Sequence, residues 1–217
     1  MIGGTALSMQ IKHRISEDLD FVYPSVRLPL ERIKALVREA GANGFAFVAT
    51  DDPAAADDFE IHGMDLANYQ QDYLVDGKVK VTFFAADAGS EKVMEQTHAS
   101  TARVASLNEI FKLKALVSAD RSKTRDWFDI YCLMRNHGFG IKDFCAAFSE
   151  AGEAAKAEIA LNRICSGIPS KSDEGFESLV DCPPSVEQMR DFFACERNQF
   201  EVTQAKAART QHNAPLG

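Results

Sequence analysis

Two aspartates one residue apart, Asp18 and Asp20, are the side chains of this sequence that most directly suggest chemistry. Residues 18–23 predict a strand with Leu19, Phe21 and Tyr23 on one face, so both carboxylates are expected on the other face with Cα atoms about 6.5–7 Å apart. Carboxylates this close repel each other unless a cation lies between them. Mg²⁺ is commonly bound by one or two carboxylates together with substrate phosphates. The pair therefore predicts a metal site, against the alternative of solvated or salt-bridged acids on a surface strand.

A pair of glycines, Gly3 and Gly4, is separated from Asp18 by thirteen residues. Residues 5–12 have helical apolar spacing, with Thr5 as the predicted N-cap. Glycine lets a backbone approach a phosphate closely, and the N-terminus of a helix offers free N–H groups and a partial positive charge. The sequence predicts a phosphate site at Gly3, Gly4 and Thr5, against the alternative of a plain turn. The spacing matches neither a Walker A loop nor the G-x-G-x-x-G fingerprint.

A second group of charged residues lies in the segment 107–131. In helical projection Lys114 falls inside an apolar stripe, and an unpaired buried ammonium is costly. Lys114 therefore either extends to solvent along its apolar stem or points into a site and binds an anion such as a triphosphate. In the next predicted helix, Asp126 borders the apolar face. Arg125 and Asp129 are four residues apart, which predicts a salt bridge within that helix.

The composition is that of an ordinary globular protein, with 46% hydrophobic and 26% charged residues. The net charge of -8 excludes a protein that coats nucleic acid by charge alone, so contact with nucleic acid would need a local basic patch. The five cysteines are widely spaced and form no C-x-x-C pair, which is typical of reduced thiols rather than a disulfide framework or a zinc site. With no 18-residue apolar run and no signal-peptide pattern, we expect a cytoplasmic protein without a membrane segment.

The pattern of elements divides the chain into an α/β core over residues 1–105 and a helical region over residues 106–217 that completes the site. We expect an α+β fold with a small mixed sheet. In the first part, strands are predicted near 18–23, 45–50 and 57–63, with a hairpin turning at Asp76-Gly77, and helices over 5–12 and 30–40. In the second part, helices are predicted over 106–118, 123–137, 141–151, 153–166 and 186–206. Residues 166–185, rich in Gly, Pro and Ser, predict a long connector.

The two groups of residues together resemble a known family. The segment "GGTALSMQIKHRISEDLDF" resembles the first motif of the nucleotidyltransferase fold, and its H-R-x-S resembles the signature of the AbiEii-type toxin branch. The segment "EIFKLKALVSADRSKTRDWFDIY" resembles the later motif of that branch. The resemblance covers roughly residues 1–137. The matching residues are Gly3, Gly4, His13, Arg14, Ser16, Asp18, Asp20, Lys114, Arg125, Asp126 and Asp129.

This resemblance implies a DNA-polymerase-β-like nucleotidyltransferase fold, Mg²⁺ (or Mn²⁺), and a nucleoside triphosphate as substrate. It further implies transfer of a nucleotide to an acceptor such as the 3′ end of RNA, and a neighbouring antitoxin protein. Catalytic roles would fall to Asp18, Asp20, Lys114 and Asp126, with Asp18 and Asp20 binding the metal. Nucleotide binding would fall to Gly3, Gly4, Thr5, Ser16, Lys114 and Arg125.

The third carboxylate that the fold often supplies from a later strand is the main departure. The expected strand "KVKVTFF" has Lys80 and Thr82 where an acid would stand. Glu60 has an apolar-acid-apolar context, and Asp126 could replace the missing acid or orient Lys114. The alternative function is a catalytically decayed module that binds nucleotide, RNA or a partner protein. A third alternative is an interaction protein that uses only its C-terminal helices.

Overall fold

The computed structural model describes residues 1–50, 52–95 and 102–212. The chain divides into two compact units, Met1–Ile110 and Phe111–Gly217, and the boundary falls within one helix. Within the described residues, no helix combines the length and apolar character needed to cross a membrane.

The first unit contains a four-stranded mixed sheet. Its strands are β1 (Asp18–Tyr23), β2 (Phe47–Ala49), β3 (Gln70–Val75) and β4 (Val79–Ala85), arranged in the order β1-β4-β3-β2. β1 pairs with β4 in parallel, whereas the β4–β3 and β3–β2 pairs are antiparallel. The small mixed sheet and the helices that follow it confirm the expected α+β fold.

The β3–β4 hairpin turns at the predicted Asp76-Gly77 pair. Both residues have positive φ, 52° and 65°, a conformation that glycine or a short polar residue tolerates. This turn fixes the register, which pairs Asp72 with Thr82 and Tyr73 with Val81. Sequence local to the turn thus decides which residues of β3 face which residues of β4.

The two faces of the sheet differ in chemistry. Aromatic rings pack across the strands on one face, with Phe21 stacked on Phe83 at 5.4 Å and Phe83 edge-on to Tyr73 at 6.1 Å. Side chains alternate along each strand, so Asp18 and Asp20 lie on the opposite face. The apolar face stabilises the sheet and leaves the other face available for polar groups.

Four helices of the first unit accompany this sheet: α1 (Gly3–Ile11), α2 (Leu30–Ala42), α3 (Pro53–Ile61) and α4 (Ala88–Val93). α3 corrects the sequence analysis, because residues 57–61 are helical where a strand was predicted. Asp52 caps the helix by accepting a hydrogen bond from the Ala54 N–H at 3.0 Å, and Pro53 occupies the first helical position. These start signals outweigh the short apolar run. Glu60, weighed as a third strand carboxylate, is therefore an exposed residue of α3.

The remaining helices are α5 (Leu107–Val117), α6 (Thr124–Asn136), α7 (Ile141–Ala151), α8 (Ala157–Ser166) and α9 (Val186–His212). The prediction of a helical second part is confirmed element by element. α6 to α9 pack around an aromatic core whose fully buried members include Trp127, Phe144, Phe148, Phe176 and Phe193. The packing of these side chains gives the second unit its own hydrophobic core.

The connector between α8 and α9 is ordered by contacts with α6. Asp173 accepts hydrogen bonds from the Thr124 N–H at 2.9 Å and the Thr124 hydroxyl at 2.7 Å, which satisfies an N–H at the start of α6. Phe176 is fully buried and stacks on Phe128 at 4.7 Å. A segment rich in Gly, Pro and Ser thus acts as a cap for the helix that carries Asp126.

Candidate functional site

Asp18 and Asp20 open β1 and lie opposite β4. The register pairs Asp18 with Lys80 and Asp20 with Thr82, so these four residues share the polar face of the sheet. Ile2 forms an isolated antiparallel bridge with Asp20, and its N–H donates to the Asp20 carbonyl at 2.9 Å. α1 begins at the next residue, which fixes its N-terminus beside Asp20.

Gly3 approaches the carboxylate of Asp20 too closely for any side chain. A Cβ at Gly3 would overlap the Asp20 Oδ2 atom and lie 3.2 Å from Asp20 Cγ, and Gly3 also has φ +76°. A carboxylate at a helix N-terminus is favourably placed, because the helix dipole is positive there. Gly3 is therefore required for the approach of Asp20 to the start of α1.

Gly4 leaves room for two residues of the segment between α1 and β1. A Cβ at Gly4 would overlap the Arg14 guanidinium and lie 2.9 Å from the Ser16 hydroxyl oxygen. Arg14 and Ser16 are the residues that resemble the toxin branch signature, and the structure brings them to the same helix terminus as Gly4. A guanidinium, a hydroxyl and a helix N-terminus together are groups that can bind a phosphate oxygen.

Thr5 is not the N-cap, which corrects the sequence analysis. The N-cap position belongs to Ile2, and Thr5 lies in the first turn of α1. The Thr5 hydroxyl donates a hydrogen bond to the backbone carbonyl of Asp18. The helix starts earlier than its apolar spacing predicts because the bridge between Ile2 and β1 positions the chain before Gly3. Thr5 thereby links α1 to the strand that carries the acid pair.

Asp72 is a buried acid on the same face that sequence reasoning missed. It is paired with Thr82 in the β3–β4 ladder, so Asp20, Thr82 and Asp72 form one row across three strands. Its carboxylate accepts hydrogen bonds from the Thr82 hydroxyl at 2.5 Å and the Gln70 amide at 2.8 Å, and the Lys80 ammonium lies 3.8 Å away. The sequence contained a signal for this pairing. Asp72 and Thr82 are equally distant from Gly77, so a hairpin that turns there places them opposite each other.

The donor set of this face fits a hard divalent cation. Asp18 and Asp20 offer carboxylate oxygens, which are the ligands that Mg²⁺ prefers, and Mg²⁺ usually completes its shell with waters and substrate phosphates. Across the described residues, no cluster of three His, Cys, Asp or Glu side chains is arranged to hold a metal ion. The face therefore suits an ion held by two carboxylates together with a ligand, rather than an ion enclosed by protein groups.

A second charged cluster lies within the helical unit. The Lys114 ammonium is 2.5 Å from Asp126 Oδ1 and 2.9 Å from Asp129 Oδ2, and Arg121 Nε donates to Asp126 Oδ2 at 2.8 Å. Lys114 is 9% exposed, Asp126 2% and Asp129 0%. The alternative that Lys114 extends to solvent is therefore wrong. The lysine within the apolar stripe is tolerated because α6 supplies two buried carboxylates.

The charges of this cluster stabilise one another against the cost of burial. Burial disfavours the ammonium, but the adjacent carboxylates of Asp126 and Asp129 outweigh it and raise the pKa of Lys114. Burial likewise opposes the charge of Asp126, but Lys114 and Arg121 outweigh it and lower the pKa of Asp126. Lys114 and Asp126 are accordingly both charged near neutral pH. The ammonium is held by Asp126 and Asp129.

Arg125 contacts the connector rather than its own helix. Its Nε donates to the Gly175 carbonyl at 2.9 Å, and its Nη2 is 3.2 Å from Glu174. The predicted salt bridge between Arg125 and Asp129 is therefore wrong, because Asp129 pairs with Lys114 instead. Arg125 and Asp129 are indeed one helical turn apart. Asp129 is buried, however, and pairs with the buried ammonium of Lys114 rather than with the half-exposed guanidinium of Arg125.

Comparison with known proteins gives the class to which this fold and these residues belong. A family model described as "Nucleotidyl transferase AbiEii toxin, Type IV TA system" matches residues 1–206. This family is of nucleotidyltransferase type, which supports classifying the protein as a transferase. The chain belongs to the AbiEii family of nucleotidyl transferase toxins of type IV toxin-antitoxin systems.

One relative among curated proteins is similar over most of both chains. It is the uncharacterized protein aq_aa25 of Aquifex aeolicus (strain VF5), 23% identical over 194 residues. The similarity covers 89% of this chain and 83% of the relative. The name of this relative assigns it no activity.

Proposed function

We propose that this protein is a Mg²⁺-dependent nucleotidyltransferase that acts as the toxin of a toxin-antitoxin pair. It transfers a nucleotide from a nucleoside triphosphate to an acceptor such as the 3′ end of RNA. Membership of the AbiEii family supports the toxin and transferase assignments. The observation that carries the proposal is the placement of Asp20 against Gly3, because it brings a pair of candidate metal ligands to a helix N-terminus, where a phosphate would bind favourably.

Each residue of the first unit has a distinct role in this proposal. Asp18 and Asp20 hold the divalent ion, which when bound neutralises the triphosphate and orients it for in-line attack. Gly3 and Gly4 leave the start of α1 open to the phosphate chain. The Ser16 hydroxyl lies at the same terminus and donates to a phosphate oxygen. Thr5 positions Asp18 through its hydrogen bond to the Asp18 carbonyl.

The helical unit contributes a fixed positive charge in this proposal. The Lys114 ammonium binds a phosphate oxygen, while Asp126 and Asp129 hold the ammonium in place. Arg121 and Arg125 flank this cluster. Arg125 anchors the connector, and in this proposal it serves nucleotide binding by holding that segment in place. A preorganised charge favours the transition state because no reorientation is needed when charge develops.

A decayed, non-catalytic relative is the second candidate, and one observation favours it. Lys80 and Thr82, rather than acids, face Asp18 and Asp20 from the neighbouring strand. Such a protein would bind nucleotide, RNA or a partner protein without transferring a nucleotide. Both candidates act in the cytoplasm with an antitoxin partner, and nucleotide transfer separates them.

The decisive experiment measures metal-dependent transfer. Purified protein is incubated with each α-labelled nucleoside triphosphate, total cellular RNA and Mg²⁺, and labelled RNA is separated on a gel. We expect label to appear with Mg²⁺, to disappear with EDTA, and to be lost in Asp20→Asn. Asp57→Asn, at an exposed aspartate of α3, removes the same charge elsewhere and should retain activity.

Growth provides a second measurement. Expression should slow growth, and the effect should vanish with Asp20→Ala while the protein level stays unchanged. Metal-dependent triphosphate binding without any transfer, in the presence of RNA and other acceptors, would favour the decayed module. Equal triphosphate binding by wild type and Asp20→Asn would place the nucleotide site elsewhere.

A further inference from the structure

Lys80 is the cation at the centre of the polar sheet face. It lies on β4, directly opposite Asp18 on β1, and its ammonium is 3.8 Å from Asp72 Oδ1 on β3. The Lys80 side chain is 52% exposed, so its ammonium can still reach a ligand that approaches this face. Lys80 thus lies between two acids of flanking strands, where an additional metal-binding acid would otherwise be expected.

Asp72 is better suited to hold Lys80 than to bind a metal. One carboxylate oxygen accepts from the Thr82 hydroxyl and the other from the Gln70 amide, so both oxygens already have donors. These two hydrogen bonds fix the orientation of the carboxylate, and the Lys80 ammonium, 3.8 Å from Oδ1, is the cation beside it. The fixed carboxylate instead provides a steady electrostatic partner for the ammonium of Lys80.

The balance of charge on this face also favours one metal ion. Asp18, Asp20 and Asp72 carry three negative charges when ionised, and Lys80 carries one positive charge. The Lys80 ammonium therefore lowers the attraction of this face for a second divalent ion. A second divalent ion on the same face would be repelled by the ammonium, and repulsion between charges a few ångströms apart is substantial at a partly buried site.

We propose that Lys80, held by Asp72, provides a fixed positive charge in place of a second divalent ion, so that a nucleoside triphosphate is bound with one divalent ion at Asp18 and Asp20. The Lys80 ammonium donates to a phosphate oxygen of that nucleotide. This inference rests on the proposed function, because it needs a triphosphate at the same face. Two-metal sites place their ions about 3.5–4 Å apart, so an ammonium on this face would repel a second ion at that separation.

The number of bound metal ions tests this directly. Mn²⁺ binding is counted by electron paramagnetic resonance with each of the four α,β-methylene nucleoside triphosphates at saturation, and nucleotide affinity is measured by calorimetry. We expect one Mn²⁺ per bound nucleotide in the wild type. Lys80→Met should weaken triphosphate binding roughly 10- to 100-fold, the range of a lost charged hydrogen bond. Lys80→Arg should recover most of the affinity and keep one Mn²⁺.

A charge reversal and a matched control sharpen the test. Lys80→Glu places a carboxylate opposite Asp18 and should raise the count to two Mn²⁺ per nucleotide. Lys78→Met removes the same charge from the exposed hairpin turn two residues earlier and should change neither the affinity nor the count.

Three outcomes would overturn the proposal. Two Mn²⁺ per nucleotide in the wild type would show that Lys80 does not replace a metal ion, although the proposed function would stand. Unchanged affinity in Lys80→Met would show that the ammonium does not contact the triphosphate. A wild type that binds no triphosphate with Mn²⁺ would overturn both this inference and the proposed function.

Discussion

Replacement of Lys114 by methionine is expected to destabilise the helical unit strongly. Methionine keeps the length and apolar character of the side chain but removes the ammonium that lies 2.5 Å from Asp126 and 2.9 Å from Asp129. Both carboxylates are buried, so the substitution leaves two buried negative charges with one neutralising partner fewer. Breaking a buried ion pair by removing one partner typically costs about 3–5 kcal/mol. We expect a loss of that size in the free energy of unfolding at neutral pH.

The pH of the measurement follows from the pKa directions. The raised pKa of Lys114 means that its contribution is complete below the ordinary lysine value and is lost only as pH rises through the folded-state value. The lowered pKa of Asp126 means that its contribution is complete above the ordinary aspartate value and is lost as pH falls. Both contributions are therefore fully present at pH 7, where urea unfolding is followed by the fluorescence of the single tryptophan, Trp127.

Lys112→Met provides the matched control. Lys112 lies on the same helix, but its partner Glu150 is half-exposed, and exposed pairs contribute about 0–1 kcal/mol. A second variant, Lys114→Met combined with Asp129→Asn, should be more stable than Lys114→Met alone. It removes one of the two buried carboxylates that have lost the Lys114 ammonium. A loss of less than about 1 kcal/mol for Lys114→Met, equal to that for Lys112→Met, would refute the reasoning.

Two other substitutions test the first unit. Gly3→Ala should lower stability and metal-dependent nucleotide binding more than Gly44→Ala does, because both glycines have positive φ but only Gly3 abuts the Asp20 carboxylate; equal losses in the two variants would contradict the role of that contact. Glu109 is fully buried, and although burial opposes its charge, hydrogen bonds from Arg103 and from backbone N–H groups lower its pKa from 4.5 to about 2. The stability from this shift is present above pH 4.5 and disappears as pH falls toward 2, so the roughly 2–3 kcal/mol deficit of Glu109→Gln in chemical unfolding should shrink across that window. A deficit that is independent of pH would show that the carboxylate charge contributes nothing.

Much of the fold was predictable because local patterns specify it. The alternation in residues 18–23 gave β1 its bounds and placed Asp18 and Asp20 on one face. The Asp76-Gly77 turn gave the β3–β4 hairpin, and helical periodicity gave α5 to α9. The failure at α3 has an equally local cause, because the Asp52 cap and Pro53 were overlooked beside a short apolar run. These features depend on residues within a few positions of one another, which a single sequence records.

The partners of the candidate site residues depended on tertiary structure. The sequence by itself identified a set of candidate site residues: Gly3, Gly4, Asp18, Asp20 and Lys114. Only the folded chain decided that Gly3 abuts Asp20, and that the buried carboxylates on α6 neutralise Lys114. Only strand order, with β4 between β1 and β3, decided that Lys80 and Asp72 share a face with the acid pair. The physical reason is that periodicity specifies which way a side chain points, whereas the charge it meets there is brought by segments distant in sequence, whose position is decided by packing.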